Sequence, residues 1–218
     1  MSMQFINTTH SKASFRTFTK NIALGSYAIL LLSACQSGTP LKDSLKPVNP
    51  KAQAEYQQAV SIMRSGQTQH AFKLFNSITK KYPGFSGPQL NIGLMHLRKN
   101  QLDMAEKAFK KAIHINRDNA VGYNLLGVVY RKSGEFLQAK ESYHQALSKN
   151  PDYANAHLNL GILYDIYMGN LKQAVHHYEQ YQRLSNNNDK KVTKWIIDLK
   201  RRIKTDKTSA KLNRSKPV

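Results

Sequence analysis

Three glycines set the scale of this chain. Gly93, Gly127 and Gly161 stand 34 residues apart. Each follows a large aliphatic residue (Ile92, Leu126, Leu160), and three positions after each comes a ring: His96, Tyr130, Tyr164. Ala71, Ala105 and Ala139 keep the same spacing, and four positions after each comes an aromatic: Phe75, Phe109, Tyr143. Pro83 and Pro151 close two of the intervals. A fixed period of this length marks one supersecondary unit stacked on copies of itself, because no single unit buries its own apolar face. The small residues let two helices approach closely. Leu126, Tyr130 and Tyr143 fill the gaps that the neighbouring unit leaves.

The pattern resembles the tetratricopeptide repeat (TPR), a helix–turn–helix unit of about 34 residues. Tyr123, Leu126, Gly127, Tyr130, Gly134, Ala139, Tyr143, Ala146 and Pro151 all fall at family positions. The resemblance implies an all-α fold, a right-handed solenoid of about four repeats at 52–85, 86–119, 120–153 and 154–187. The first unit diverges, with Gln58-Ala59 in place of Leu-Gly and Ile62 in place of the ring. Arg117 stands where the second unit would carry Pro. In the fourth unit His157, Leu160, Gly161, Tyr164 and Tyr178 keep their places, but Ala174 follows Tyr164 by ten positions rather than nine. The extra residue is expected to lengthen the turn near Met168-Gly169-Asn170.

After the array, residues 186–189 read as a turn and helix cap. Val192, Trp195, Ile196, Leu199 and Ile203 then follow helical spacing. They predict a capping helix within 188–204, whose other face holds Lys190, Lys191, Lys194, Arg201 and Arg202. Residues 205–218 are basic and aperiodic and are expected to be disordered.

The first 34 residues read as a secretory signal: Lys12, Arg16 and Lys20 without an acid, then an apolar run from Ile22 to Leu32, then small residues. That run is too short to span a bilayer comfortably. Leu32-Ser33-Ala34-Cys35 resembles the bacterial lipobox, which implies cleavage before Cys35 and diacylglycerol on its sulfur. Cys35 is the only cysteine in the chain. In the sorting rule of enterobacterial lipoproteins an Asp after the Cys means inner-membrane retention, and Gln36 resembles the outer-membrane class, which implies an outer-membrane anchor facing the periplasm. Residues 35–51, with Pro40, Pro47 and Pro50, read as the lipidated Cys and a flexible linker.

Charge is unevenly placed. Of a formal net charge of +20, the last thirty residues carry +8. In an envelope compartment this suits anionic lipid, lipopolysaccharide or cell-wall polymer better than nucleic acid. No constellation carries chemistry: there is no His-Glu-x-x-His, no phosphate-binding Gly loop and no Gly-x-Ser-x-Gly. The reading is therefore not an enzyme, with no cofactor and no metal. His176-His177 and His144 are read as surface histidines, and His96 and His157 as packed between helices.

What remains is a groove. In TPR arrays the first helix of each unit lines the concave surface. Carried over, the facing positions are Tyr56, Val60 and Met63; Leu90, Leu94 and Arg98; Asn124, Val128 and Arg131; Leu158, Ile162 and Asp165, with Asn91 and Asn159 beside them. The family's carboxylate clamp is not implied, because its Lys position holds Tyr56, Leu90, Asn124 and Leu158. The strip suits an amphipathic helix or an extended apolar peptide. Alternatively, Leu90, Leu94, Val128, Leu158 and Ile162 only pack between repeats. The functional expectation is a lipid-anchored adaptor that holds a protein partner in the periplasm, in support of an envelope complex of the pilus or secretion type. Two alternatives stand beside it: a basic envelope-surface binder of lipopolysaccharide or cell-wall polymer, and an adaptor for a periplasmic protease or cell-wall hydrolase.

Overall fold

The turn inside each repeat has the same stereochemistry. Gly66, Asn100, Gly134 and Gly169 all have positive φ, at 85°, 57°, 83° and 62°. Three of these four positions hold the residue that adopts this backbone at no steric cost, and the other holds Asn, the next best. The ring-position carbonyl then closes the turn by accepting from the residue before the second helix. Ile62 accepts from Gln67, His96 from Gln101, Tyr130 from Glu135 and Tyr164 from Asn170, at 2.8 to 3.2 Å.

The computed structural model describes the backbone of residues 49–186 and 188–214, with side chains through residue 206. The signal, Cys35 and the linker as far as residue 48 lie outside the described residues. Repeat one comprises α1 (Pro50–Arg64) and α2 (Thr68–Lys81), and repeat two α3 (Gly87–Arg98) and α4 (Leu102–Ile115). Repeat three comprises α5 (Ala120–Lys132) and α6 (Phe136–Lys149). Repeat four comprises α7 (Ala154–Ile162), a π-helical turn (Leu163–Tyr167) and α8 (Leu171–Leu184). A final helix, α9, runs Lys190–Arg214. No strand occurs among the described residues.

Local signals start the helices. The Asn49 side chain accepts from Lys51 N at 2.9 Å, with Pro50 in the first turn, and Asn119 accepts from Gly122 N at 2.9 Å. Both satisfy amide groups that a helix start leaves without a partner. Each helix pair then closes on a small residue. Phe109, Tyr143 and Tyr178 lie against Gly93, Gly127 and Gly161, and all three rings are buried. Ala71, Ala105, Ala139 and Ala174 are fully buried at the same point of each second helix. Three apolar clusters result, one in repeats one and two, one through repeats two to four, and one joining repeat four to α9.

Two expectations change. The extra residue of repeat four does not lengthen the turn at 168–170, which keeps its positive-φ Gly169. It is absorbed one step earlier, in the π-helical turn, where Met168 N reaches back to Leu163 O at 3.1 Å. A wider helical turn takes in the added residue, and the carbonyl of the ring position still accepts from the residue before the second helix. The second change concerns α9. It continues beyond residue 204 to Arg214, so the stretch 205–214 is helical rather than disordered. No Gly or Pro interrupts that stretch, and Lys, Ala, Leu and Arg are strong helix formers.

Candidate functional site

The first helices α1, α3, α5 and α7 lie side by side, and polar side chains fix their register. Asn91 Nδ2 donates to the Tyr56 phenol oxygen at 2.7 Å. Asn159 Nδ2 donates to Asn124 Oδ1 at 2.9 Å. Both bonds join residues 35 apart, each linking a first helix to its successor. Between α3 and α5 the equivalent pair is Leu90 and Leu125, and the join there is apolar. Asn91 and Asn124 are buried, at 7% and 4% exposure, so their amides answer a neighbouring repeat and do not face an incoming ligand. Tyr56 is half-buried and also meets Phe85 edge-on at 5.1 Å. Burial pushes its phenol pKa upward.

The apolar positions divide. Val60, Met63 and Val128 are buried at 9%, 7% and 8%. Leu90 and Leu94 are half-buried against the central cluster and keep an open side. Leu158 and Ile162 pack against the cluster that α9 completes with Val192 and Leu199. Asp165 is engaged as well: it accepts from the Tyr178 hydroxyl at 3.4 Å and pairs with Arg202 at 3.8 Å. Arg131 is half-buried, with Nε donating to the Tyr143 hydroxyl at 3.4 Å, while Arg98 is exposed. The accessible part of the groove is thus centred on Leu90, Leu94 and Arg98. Repeat four is closed by its own cap.

A feature the sequence reading missed lies at the joint of repeats three and four. His177 is a buried residue at 6%, not a surface one, and His157 is buried at 8%. Their Nδ1 atoms lie 3.1 Å apart, and His157 Nε2 is 3.1 Å from the Pro151 carbonyl. A carbonyl only accepts, so His157 carries its proton on Nε2 and accepts on Nδ1, and His177 donates from Nδ1. Tyr164 stacks flat on His177, at 5.6 Å and 7°. Burial, with His157, His176 and His144 close by, lowers the His177 pKa to about 3. Adjacent helical residues point about 100° apart, so His176 and His177 do not share a direction, and one can face inward while the other stays exposed. Which one depends on the phase of α8, set by Ala174 and Tyr178. Among the described residues, no group of three or more His, Cys, Asp or Glu is placed to hold a metal ion. No described helix is long and apolar enough to cross a membrane.

Comparison with known sequences and structures agrees with this architecture. Tetratricopeptide-repeat models match residues 53–84, 88–119 and 154–188, and a TPR-repeat model matches 127–165. The anaphase-promoting complex subunit CDC16 of Saccharomyces cerevisiae is 29% identical over 106 residues, which is 45% of this chain and 13% of that protein. This chain therefore spans only a small part of that relative's length. Among solved structures, Pseudomonas aeruginosa pilF superposes with a TM-score of 0.63 at 19% identity, covering 71% of this chain and 69% of its own. The first TPR of Spaghetti (RPAP3), solved bound to the HSP90 peptide SRMEEVD, gives 0.51 at 18% identity, covering 54% and 92%. At these identities the likeness is one of fold.

Proposed function

Because the chain belongs to the tetratricopeptide-repeat family, we propose that it is a non-catalytic adaptor whose first-helix face holds a protein partner at the bacterial envelope. Cys35 carries the lipid anchor, and the stretch before α1, residues 36–49, tethers the array to the outer membrane on its periplasmic side. There the array supports assembly of an envelope complex of the pilus or secretion type. The observation that carries the interaction reading is the half-open pair Leu90 and Leu94, flanked by sealed Val60 and Val128. An apolar strip left partly open on an otherwise packed array marks a binding surface. The Spaghetti repeat, a neighbour in fold, was solved with a peptide.

A photo-crosslinking residue at Leu94, with a comparison probe at Thr208, tests this in cells. One dominant protein captured at Leu94 is the expected outcome, and Leu94→Glu should abolish capture while the melting temperature holds. Cys35→Ser should move the chain from the membrane to the soluble fraction. Silence at Leu94 sinks the groove, and retention of Cys35→Ser in the membrane sinks the anchor.

One observation favours a second reading. Lys190, Lys194, Arg201 and Lys204 lie along one stripe of α9, opposite buried Val192 and Leu199. That stripe suits anionic headgroups, lipopolysaccharide or cell-wall polymer. It predicts salt-sensitive polyanion binding that disappears when Lys190, Lys194, Arg201 and Lys204 are together replaced by Gln.

A further inference from the structure

One position of the first helix changes character along the array. It holds Met63 in repeat one, Leu97 in repeat two, Arg131 in repeat three and Asp165 in repeat four, each 34 residues after the last. The ring of the second helix changes with it, from Phe75 and Phe109 to Tyr143 and Tyr178. Met63 and Leu97 are buried, and so are all four rings. In repeats three and four the added hydroxyl meets the added charge. Arg131 Nε donates to the Tyr143 hydroxyl at 3.4 Å, and the Tyr178 hydroxyl donates to Asp165 Oδ2 at 3.4 Å.

Repeats one and two pack this joint with apolar side chains, so packing alone does not call for a charge. Asp165 is answered by Arg202 of α9, at 3.8 Å. Arg131 has no such answer. It is half-buried, yet it takes part in no ion pair among the described residues. The groups that bear on it are the phenols of Tyr143 and Tyr167, which accept hydrogen bonds but carry no charge. A guanidinium drawn partly out of water in this way stays uncompensated until a carboxylate meets it.

The surroundings are apolar and partly open. Tyr167 lies against Phe136, with ring centroids 4.6 Å apart. Tyr167, Ile166 and Leu137 are three of the five large hydrophobic side chains left exposed among the described residues. Ile166 and Tyr167 belong to the π-helical turn that takes in the extra residue of repeat four, and such turns recur at functional sites. Helix α5 packs between α3, which carries Leu90 and Leu94, and α7, which leads into this turn. Apolar footing therefore lies on both sides of the helix that carries Arg131.

We infer that Arg131 anchors an aspartate or glutamate side chain of the protein partner, next to an apolar residue that lies on the Tyr167 ring. This rests on the adaptor reading and names the chemistry of what the adaptor holds. The guanidinium fork offers parallel N–H donors that match the two oxygens of a carboxylate. Footing on both sides selects an internal acidic residue over a chain end, because a chain end has backbone on one side only.

The test measures binding of short peptides to the full chain. Calorimetry gives the affinities, and the NMR signal of the Arg131 Nε–H group gives the place of binding. The probes are acetyl-Leu-Glu-Phe amide, its counterpart with Gln in place of Glu, and the Gln peptide with a free terminal carboxylate. The Glu probe should shift the Arg131 signal saturably and bind about fivefold tighter than the Gln amide at low salt, the scale of one partly exposed ion pair. The ratio should shrink as salt screens the pair. Arg131→Gln should erase the ratio and leave the melting temperature in place, and Arg131→Leu, which copies repeat two, should do the same. Lys190→Gln with Lys194→Gln on α9 should leave the ratio intact. Equal binding of the Glu and Gln amides, a ratio that survives both Arg131 substitutions, an Arg131 signal that does not move, or no saturable binding of the Glu probe would each overturn the proposal. Tighter binding of the free-terminus peptide than of the Glu probe also overturns it, because the anchor then takes a chain end. All of these outcomes leave the adaptor reading standing, which only silence of the Leu94 crosslinking probe removes.

Discussion

A methyl group on Gly127 would sit 2.6 Å from Tyr143 Cε1, well inside contact distance. The ring is fully buried and has nowhere to withdraw. Gly127→Ala should therefore destabilise the array by about 2 kcal/mol, the scale of overpacking a close-packed core. Urea unfolding checks this, and an unchanged midpoint refutes it. His177 gives a second prediction at the same scale. Its pKa falls from an ordinary 6.5 to about 3 on folding. A histidine depressed in this way binds its proton first in the unfolded chain, so stability is intact above pH 6.5 and is lost as pH falls towards 3. The titratable groups around it are His144 on α6, His157 on α7 and His176 on α8, while Asp152 and Arg183 act on His157. No carboxylate is among the groups that shift His177, and Asp152, beside His157, pairs with Arg183. Between pH 6.5 and 4.5 the loss from His177 alone should be about 2 kcal/mol, since the full 1.36 kcal/mol per unit applies only below the unfolded pKa. His177→Phe should flatten the slope of stability against pH by about one proton over that window. Equal slopes in the two proteins would dismiss the histidine as its source.

At the scale of elements, α9 holds repeat four shut. Asp189 Oδ1 accepts from Lys191 N and Val192 N at 3.0 and 3.1 Å and starts the helix. Gln182 is buried and ties α8 to it, donating to Thr193 Oγ1 at 2.6 Å. Trp195 meets Tyr178 at 5.4 Å. In an array where each unit touches only its neighbours, damage at one end stays local. Trp195→Ala should raise amide exchange in α7 and α8 by about tenfold or more and leave α1 to α4 unchanged. A uniform rise along the chain would mean that the array unfolds as one unit.

The whole molecule shows what the sequence made legible. The repeats were legible because close approach of two helices demands Gly or Ala at the crossing and a large ring opposite. Gly93 with Phe109 and Gly127 with Tyr143 satisfy that demand at one spacing, and Gly161 with Tyr178 at that spacing plus one residue. The position of the extra residue was not, since an added residue leaves the same count wherever it enters. Only the hydrogen bond from Met168 N to Leu163 O locates it in the π-helical turn. The groove positions were legible as a face but not in their exposure. Burial at Val60 or Val128 depends on how far the next first helix leans in, which no residue type reports. The engagement of Asp165 by Arg202 joins positions 37 apart and follows no repeat period.

Helix α9 also decides how the array can grow. It packs where the first helix of a fifth repeat would stack, over Ala174, Val175 and Tyr178. A second copy cannot dock its α1 onto α8 without first displacing that helix. Head-to-tail polymerisation, the assembly that a bare solenoid end invites, is closed off at this terminus.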